Sequence, residues 1–192
     1  MRIRFDKYVI ETCEDVYEPA EDSFALLDAI DMIKPSEGTF LDLGCGTGIV
    51  GIHVAKNYGL EVIFSDVNPK AVRCAKLNAS LNNIRGSFVV GDSMYRLKEV
   101  DYVAFNPPYL PGEPEDEVDM ARCGGPQGIR EVMKFVNNLH KVRRGAFLLL
   151  TSFNPIYVVL EEIRSRGLHT RVLFTRSVAG EEYFLLYVYR DR

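Results

Sequence analysis

The 192-residue chain has no tryptophan, three histidines and four cysteines, and it contains no apolar run of the ~18 residues that would span a membrane. Its first residues carry positive charge, but no apolar segment follows them, so we expect no signal peptide. The cysteines are widely spaced and form no C-x-x-C pair, which favours reduced thiols over a disulfide framework or a zinc site. These absences predict a cytoplasmic protein with no membrane association and no bound metal.

Basic residues are also few. The chain has 23 Lys and Arg against 27 Asp and Glu, which gives a formal charge of −4. A protein that binds nucleic acid usually carries a net basic balance or a clustered basic face, because it must neutralise phosphates. The two short basic clusters, at 143–144 and 164–166, are better placed to end helices and complement their dipoles. The balance therefore disfavours nucleic acid as a partner.

Short apolar runs alternate with amphipathic stretches from residue 39 onward. The predicted strands are 39–43, 60–65, 87–90, 100–105, 146–151, 168–174 and 183–189, and the predicted helices are 20–33, 49–57, 69–81, 128–142 and 156–166. The alternation predicts an α/β fold with a seven-stranded, Rossmann-like sheet, helices on both faces and an antiparallel C-terminal hairpin. We expect residues 1–192 to form a single domain, with residues 1–38 as a short N-terminal extension.

A glycine-rich turn follows the first of these strands, in the segment Leu41-Asp42-Leu43-Gly44-Cys45-Gly46-Thr47-Gly48. Glycines there allow close approach of a ligand to the backbone, and a helix N-terminus supplies free N–H groups. The Asp42 carboxylate would repel a pyrophosphate, but it suits a ligand that carries an ammonium and a sulfonium. Asp66, after the next strand, can accept hydrogen bonds from ribose hydroxyls, and Asp92 can face an adenine amino group. The pattern predicts a nucleoside site for S-adenosyl-L-methionine.

The sequence Asn106-Pro107-Pro108-Tyr109 follows the fourth predicted strand, at the end where ligands bind in parallel sheets. A planar NH2 group is a poor nucleophile, because its lone pair is delocalised. The Asn106 side-chain oxygen and the Pro107 carbonyl can accept its two N–H bonds and aim the lone pair at a methyl group. Pro107 and Pro108 fix the backbone, and Tyr109 offers a flat face to the planar group. We call these four residues the clamp and predict that they are catalytic and bind the substrate.

Together these segments resemble the HemK/PrmC family of glutamine-N5 methyltransferases, which act on class I peptide release factors. The likeness is to the short archaeal and eukaryotic branch, and the N-terminal segment Val16-Tyr17-Glu18-Pro19-Ala20-Glu21-Asp22-Ser23 is similar to that branch's motif over the cofactor. The segment 123–128, Cys-Gly-Gly-Pro-Gln-Gly, also resembles the family's sequence after the clamp. The resemblance spans residues from about 16 to the end, and it implies a class I methyltransferase fold.

The resemblance and the strand-end pattern together imply a set of cofactor-binding residues: Tyr17, Pro19, Glu21, Asp22, Ser23, Asp42, Gly44, Cys45, Gly46, Gly48, Asp66, Val67, Asn68, Asp92, Ser93 and Asn106. The resemblance also implies a release factor as the protein substrate. Eukaryotic members of the branch work with a small zinc-binding activator, and the apolar strand between Ser87 and Val90 would be an edge open to such a partner. The acidic segment 113–119 is either a contact for a basic release-factor surface or a solvated loop.

Three other functions compete with glutamine methylation. A methyltransferase acting on exocyclic amines of adenine or guanine shares the Asn-Pro-Pro-Tyr sequence, but it would need a basic groove and a way to flip the base. A dehydrogenase or simple nucleotide-binding module would leave Asp42 and the clamp unexplained. Lysine methylation requires a base to deprotonate the ammonium, and no such base adjoins the clamp in the sequence.

Overall fold

The computed structural model describes residues 1–95, 97–115 and 119–191. Its strands are β1 Arg2–Arg4, β2 Val9–Glu11, β3 Thr39–Leu43, β4 Glu61–Asp66, β5 Gly86–Val90, β6 Val100–Phe105, β7 Val142–Thr151, β8 His169–Val178 and β9 Glu181–Tyr189. Its helices are α1 Glu21–Ile33, α2 Ile49–Tyr58, α3 Pro69–Leu81, α4 Arg130–Asn137 and α5 Ile156–Ser165, with 3-10 turns at Asp119–Ala121 and Leu139–Lys141. Within the described ranges, no helix combines the length and apolarity needed to cross a bilayer.

Seven strands form one sheet in the order β5-β4-β3-β6-β7-β9-β8, which confirms the predicted strand number. The strands from β5 to β7 pair in parallel, and β9 pairs antiparallel with both β7 and β8. The predicted C-terminal hairpin is therefore confirmed, with β9 inside the sheet and β8 at its edge. The chain runs outward in opposite directions from β3 and β6, so a crevice forms where these two strands end.

The sheet packs between two hydrophobic clusters, as expected for helices on both faces. Leu26 of α1, Ile52 of α2 and Ala75 of α3 pack with Phe40 on one face. Leu41, the next residue of the same strand, points to the other face and packs with α4 and α5. Alternation along β3 thus places successive side chains in different cores. Both faces are sealed, so the ends of the strands remain the open part of the sheet.

Two predicted boundaries were wrong at the junction of α4 and β7. The helix ends at Asn137 instead of 142, and the strand begins at Val142 instead of 146. Val142 pairs with Val100, which draws the start of β7 into the sheet. Pairing with a neighbouring strand therefore overrides the helical pattern of the local sequence.

An N-terminal hairpin of β1 and β2 lies outside the main sheet and was not predicted. The side chains of Asn78 on α3 and of Asn82 just after it accept hydrogen bonds from the backbone N–H groups of Glu11 and Val9, at 2.8 and 2.9 Å. This contact corrects the expectation of reduced thiols, because it brings the adjoining Cys13 to a Cα–Cα distance of 6.1 Å from Cys74, and the two form a disulfide. The two cysteines are 61 residues apart in sequence. Closing a loop of this length lowers the conformational entropy of the unfolded chain, which stabilises the fold by about 4 kcal/mol.

Candidate active site

A cleft of about 1130 Å³ opens at the carboxyl ends of the parallel strands. Its wall combines the segment before α1, the glycine turn after β3, the ends of β4 and β5, and the clamp after β6. The predicted residues in this wall are Tyr17, Pro19, Asp22, Ser23, Asp42, Gly44, Cys45, Gly46, Asp66, Val67, Asn68, Asp92, Ser93, Asn106, Pro107, Pro108 and Tyr109. The structure thus brings together segments that are far apart in sequence.

Two residues predicted to bind the cofactor do not line this cleft. Glu21 is exposed on the first turn of α1. Gly48 is buried below the glycine turn with φ +81°, and a Cβ there would lie 3.0 Å from the Cβ of Ala75. Gly48 therefore lets α2 and α3 pack closely, whereas Gly44 and Gly46 of the same turn face the cleft. The G-x-G spacing alone does not distinguish these two roles.

Asp42 lies beneath the glycine turn and is almost completely buried. Its Oδ2 accepts a hydrogen bond of 2.9 Å from the backbone N–H of Gly51, in the first turn of α2. Burial raises the pKa of Asp42 to about 8, the Gly51 hydrogen bond lowers it, and the nearby Asp66 adds to the rise. A cation in the cleft would reverse this shift, because it would stabilise the ionised form.

Asp66 connects the end of β4 to the glycine turn. Its two oxygens accept hydrogen bonds from the backbone N–H groups of Gly46, at 3.0 Å, and Asn68, at 2.9 Å. Burial raises the pKa of Asp66, and these backbone hydrogen bonds oppose the rise. A carboxylate has about four acceptor positions. The backbone N–H of Val67 is a third donor to Asp66, so about one position remains for a ligand hydroxyl.

The wall beyond β5 holds Asp92 and Ser93. The Asp92 side chain is 60% exposed and forms an ion pair with Lys134 of α4, at 3.2 Å. Ser93 has a left-handed backbone with φ +53°, and its buried Oγ has no hydrogen-bond partner among the described residues. An orphaned buried hydroxyl costs free energy unless a ligand or water satisfies it. The polar edge of a bound base would satisfy it.

The clamp projects from the end of β6, and its first residue has an asymmetric environment. The Nδ2 of Asn106 donates a 3.0 Å hydrogen bond to Asp22, whereas its buried Oδ1 has no partner within the described part of the chain. The Tyr109 ring lies 6.2 Å from the Tyr183 ring between centroids. Burial, followed by the charge of Asp22, raises the pKa of Tyr109, so its hydroxyl stays protonated. The clamp therefore presents an acceptor that the described residues leave free, Asn106 Oδ1, together with an aromatic wall.

Two residues that hold the clamp in place were not predicted from the sequence. Asn154, after β7, is buried and donates from Nδ2 to the carbonyls of Tyr109, at 2.9 Å, and Gly128, at 3.1 Å. Gly124 packs so closely on the clamp that a Cβ there would lie 2.2 Å from the Pro108 carbonyl oxygen. Asparagine in a turn is common, so no local signal marks Asn154 as a support of residues 45 positions earlier.

The acidic segment after the clamp is only partly described. Glu113 forms an ion pair with Arg130 of α4, and Asp119 begins the 3-10 turn. Asp116 and Glu117, which belong to the same predicted contact, lie outside the described residues. Glu113, one of the described acids of this segment, is therefore already paired with a basic residue of the same chain.

Cys45 lies in the glycine turn beside the two buried acids. Its side chain is buried, and burial raises the pKa of the thiol well above its ordinary value, with a further rise from the charges of Asp42 and Asp66. A thiol acts as a nucleophile only when it ionises. Cys45 is therefore not activated, and it contributes to the cleft as a small apolar group.

The family of the chain follows from its similarity to known proteins. Residues 20–122 match the family model described as the methyltransferase small domain. The chain is 30% identical to a putative protein N5-glutamine methyltransferase of Methanocaldococcus jannaschii, across 99% of this chain and all of the relative. It is 34% identical to the methyltransferase HEMK2 of Mus musculus, across 88% of this chain and 86% of the relative.

Among solved structures, the chain resembles one from the E. cuniculi Mtq2–Trm112 complex, which is responsible for methylation of the eRF1 translation termination factor. The TM-score is 0.79 and the identity 28%, over 92% of this chain and 99% of the other. The acids, the glycine turn and the orphaned Ser93 Oγ fit S-adenosylmethionine as the cofactor. The chain therefore belongs to the methyltransferase small domain family, as an S-adenosylmethionine-dependent enzyme of the protein glutamine N5-methyltransferase type.

Proposed function

We propose that this enzyme methylates the side-chain nitrogen of the glutamine in the Gly-Gly-Gln loop of a peptide release factor. The observation that carries the proposal is the buried Oδ1 of Asn106, which is left without a partner by the described residues and lies beside an acid-lined cleft. A carboxamide NH2 is a donor that satisfies such an acceptor. A relative named for glutamine methylation and a solved neighbour named for eRF1 methylation support the proposal. Because the proposed substrate acts in translation termination, we propose a cytoplasmic location for the reaction.

In the proposed mechanism, Asn106 Oδ1 and the Pro107 carbonyl accept the two N–H bonds of the glutamine carboxamide. This orientation turns the nitrogen lone pair toward the cofactor and stabilises positive charge that develops on nitrogen. S-adenosylmethionine supplies an electrophilic methyl group on a sulfonium. The glutamine nitrogen would take the methyl as the bond from that carbon to sulfur breaks, and S-adenosylhomocysteine would leave as a neutral thioether. One nitrogen proton would then pass to water, so no strong base is needed. Tyr109 packs against the planar amide and excludes water.

The cofactor residues in this proposal follow the placement of the acids. Asp42 and the turn at Gly44 to Gly46 would hold the amino-acid end, Asp66 the ribose hydroxyls, and Asp92 with Ser93 the adenine. Tyr17, Pro19 and Ser23 would cover the cofactor, with Val67 and Asn68 beside the ribose. These roles are supported by the acceptor position that Asp66 leaves open and by the orphaned Ser93 Oγ.

The decisive experiment incubates the chain with S-adenosylmethionine labelled in its methyl group and a peptide release factor. We expect label on the wild-type factor and none on its Gln→Ala variant. Duplex DNA and ribosomal RNA serve as parallel acceptors, because an exocyclic amine has the same planar geometry as a carboxamide. Label on nucleic acid with none on the release factor would replace the proposal by the alternative.

We expect cofactor affinity to rise with pH between ~6 and ~7.5. The pKa of Asp42 is about 8 in the cofactor-free protein, so this carboxyl is mostly protonated at neutral pH. The cofactor's ammonium binds the ionised form of Asp42, so binding releases a proton from this carboxyl. Below the pKa of Asp42, affinity should therefore rise up to about tenfold for each increase of one pH unit. Above that range the cofactor's own amino group loses its charge.

Calorimetric titration with S-adenosylhomocysteine, in buffers of different ionisation enthalpy, measures both the affinity and the proton released. Asp42→Asn is the matched variant, since it keeps the size of the side chain and cannot titrate. Its binding should be weaker and independent of pH in the same range. An equal pH dependence in both proteins would show that another group is responsible.

We also propose that a small zinc-binding activator protein pairs with the edge strand β5. This strand ends the sheet on one side, and Val90 is 55% exposed there. No Lys, Arg, Asp or Glu lies within Gly86–Val90 to protect it, although edges usually carry such protection. The solved Mtq2–Trm112 complex supports a partner of this kind.

Val89→Lys should weaken binding of the activator at least about tenfold, because the lysine charge would lose water at the sheet face where the partner packs. Pull-down with a purified activator measures the loss. Val172→Lys is the matched control, since Val172 is 51% exposed on β8, the opposite edge of the same sheet. Equal retention of both variants would exclude β5 as the docking edge.

A further inference from the structure

We propose that Asp22 is a positioning residue for methyl transfer, which sets the orientation of the Asn106 carboxamide and polarises it. The inference rests on the proposed function, because it concerns the acceptor that receives the substrate NH2. It also changes the expected role of the N-terminal segment, which the family resemblance connects to the cofactor. The Asp22 side chain instead acts on the substrate clamp.

The contacts of Asp22 are concentrated on the clamp and its surroundings. Asp22 is 1% exposed, in the first turn of α1. Its Oδ2 accepts hydrogen bonds from Asn106 Nδ2 at 3.0 Å, Tyr17 Oη at 2.9 Å and Tyr109 Oη at 3.4 Å. Its Oδ1 accepts from the Ser23 backbone N–H, at 2.6 Å, and from Ser23 Oγ, at 3.3 Å. Two residues of the clamp thus share one carboxylate oxygen.

These contacts leave Asp22 little capacity to bind the cofactor. An ionised carboxylate offers about four acceptor positions, and five donors already lie within reach of this one. A ribose hydroxyl or an ammonium would have to displace one of them. Asp66, by contrast, accepts from three backbone N–H groups, so about one of its four acceptor positions stays open.

The carboxylate decides which way the Asn106 amide faces. An ionised carboxylate only accepts hydrogen bonds, so the amide nitrogen must face it. The reversed orientation would place the two oxygens about 3.0 Å apart, with repulsion in place of a charge-assisted hydrogen bond. Asn106 Oδ1 is therefore held on the opposite side, where it is buried and unpartnered by the described residues. An unconstrained asparagine would present its oxygen and its NH2 with similar ease.

The same contact strengthens the acceptor. A negative charge at the NH2 end of an amide repels electron density toward the amide oxygen, and consecutive hydrogen bonds reinforce one another in a buried site. The substrate nitrogen becomes more positive during methyl transfer. The two consecutive hydrogen bonds, from Asn106 to Asp22 and from the substrate to Asn106, then stabilise the transition state more than the bound substrate. The effect appears in kcat.

The test exchanges the two partners. Asp22→Asn removes the charge that fixes the amide, and Asn106→Asp places two carboxylates together. The double variant Asp22→Asn/Asn106→Asp restores one carboxylate and one amide across the same contact. We expect kcat to fall at least about tenfold in each single variant. The double variant should recover at least about tenfold over Asn106→Asp alone, while affinity for S-adenosylhomocysteine stays within about threefold of wild type.

Asp28→Asn is the matched control, because Asp28 lies on the same helix and pairs with Arg176 at the surface. It should leave kcat unchanged. A double variant no better than Asn106→Asp alone would overturn the proposal. Loss of cofactor affinity in Asp22→Asn, with kcat unchanged at saturation, would return Asp22 to a cofactor-binding role.

A measurement without substrate separates this inference from the proposed function. In nuclear magnetic resonance spectra of the isotope-labelled protein, one Asn106 NH2 proton should be shifted downfield by the Asp22 carboxylate. The shift should disappear in Asp22→Asn and persist in Asp28→Asn. If the wild-type enzyme does not label the release factor, the proposed function fails, while these spectra still decide whether Asp22 orients Asn106. Persistence of the shift in Asp22→Asn would contradict the orientation itself.

Discussion

Replacing Asn106 by alanine should lower kcat/KM for the release-factor glutamine by about 10² to 10³, a loss of about 3–4 kcal/mol of transition-state stabilisation. The change removes the buried Oδ1 that we expect to accept a substrate N–H, and the Pro107 carbonyl alone cannot accept both N–H bonds. Asp42, Asp66 and the glycine turn are untouched, so affinity for S-adenosylhomocysteine should remain within a few fold. Initial rates with labelled cofactor and a binding titration measure the two effects separately.

Asn137→Ala is the control for this variant. Asn137 is exposed at the end of α4, and its side chain accepts a hydrogen bond from Arg166, away from the cleft. Its rate and affinity should match those of wild type. If Asn106→Ala retained most of its rate, the Pro107 carbonyl would suffice to orient the amide, and the orphaned oxygen would need another explanation.

Replacing Gly128 by alanine should disrupt both the fold and the activity. Gly128 has φ +65°, and a Cβ would lie 2.0 Å from the Tyr109 carbonyl oxygen and 2.8 Å from Asn154 Nδ2. Neither neighbour can move freely, because Asn154 bonds to the carbonyls of both Tyr109 and Gly128. We expect the last residue of the clamp to shift, with a loss of about 2–4 kcal/mol in unfolding free energy and at least about tenfold in rate.

Gly167→Ala separates the backbone cost from the contact. Gly167 has φ +69°, almost the same as Gly128, and none of the described atoms would lie within 4 Å of a methyl group added there. It should lose about 1 kcal/mol, which is a fall of about 2–4 °C in Tm, and keep full activity. Thermal melts and initial rates of both variants make the comparison. Equal melting temperatures and equal rates would show that residues 124–128 do not support the clamp.

The residues at the ends of the parallel strands were well predicted, because the sequence pattern that marks each of them lies within a few neighbouring residues. Asp42, Asp66 and Asn106 each lie at or just after the end of an apolar run typical of a buried strand, and parallel strands bring their carboxyl ends to one edge. The C-terminal hairpin was equally clear, since two β-rich runs flank a turn at Gly180. The boundary between α4 and β7 was not, because the pairing of Val142 with Val100 depends on a distant strand.

Contacts between segments far apart in sequence account for the other differences. The Cys13–Cys74 disulfide depends on how β2 packs on α3, and spacing alone argued against it. Asn154 lies 45 residues beyond the tyrosine whose carbonyl it holds. Gly46 and Gly48 carry the same local pattern, yet one faces the cleft and the other faces Ala75. Each outcome is decided by a neighbour that the local sequence does not specify.

The sequence by itself determined the kind of chemistry. Its signals are a glycine turn, acids at strand ends and Asn106-Pro107-Pro108-Tyr109, and the order of the strands is enough to bring them into one cleft. Tertiary structure alone decided how the clamp is oriented. Asn106 and Asp22 are 84 residues apart, and the direction of an amide depends on which group lies 3.0 Å from its nitrogen. That neighbour exists only after α1 packs beside the end of β6, so no pattern along the chain could specify it.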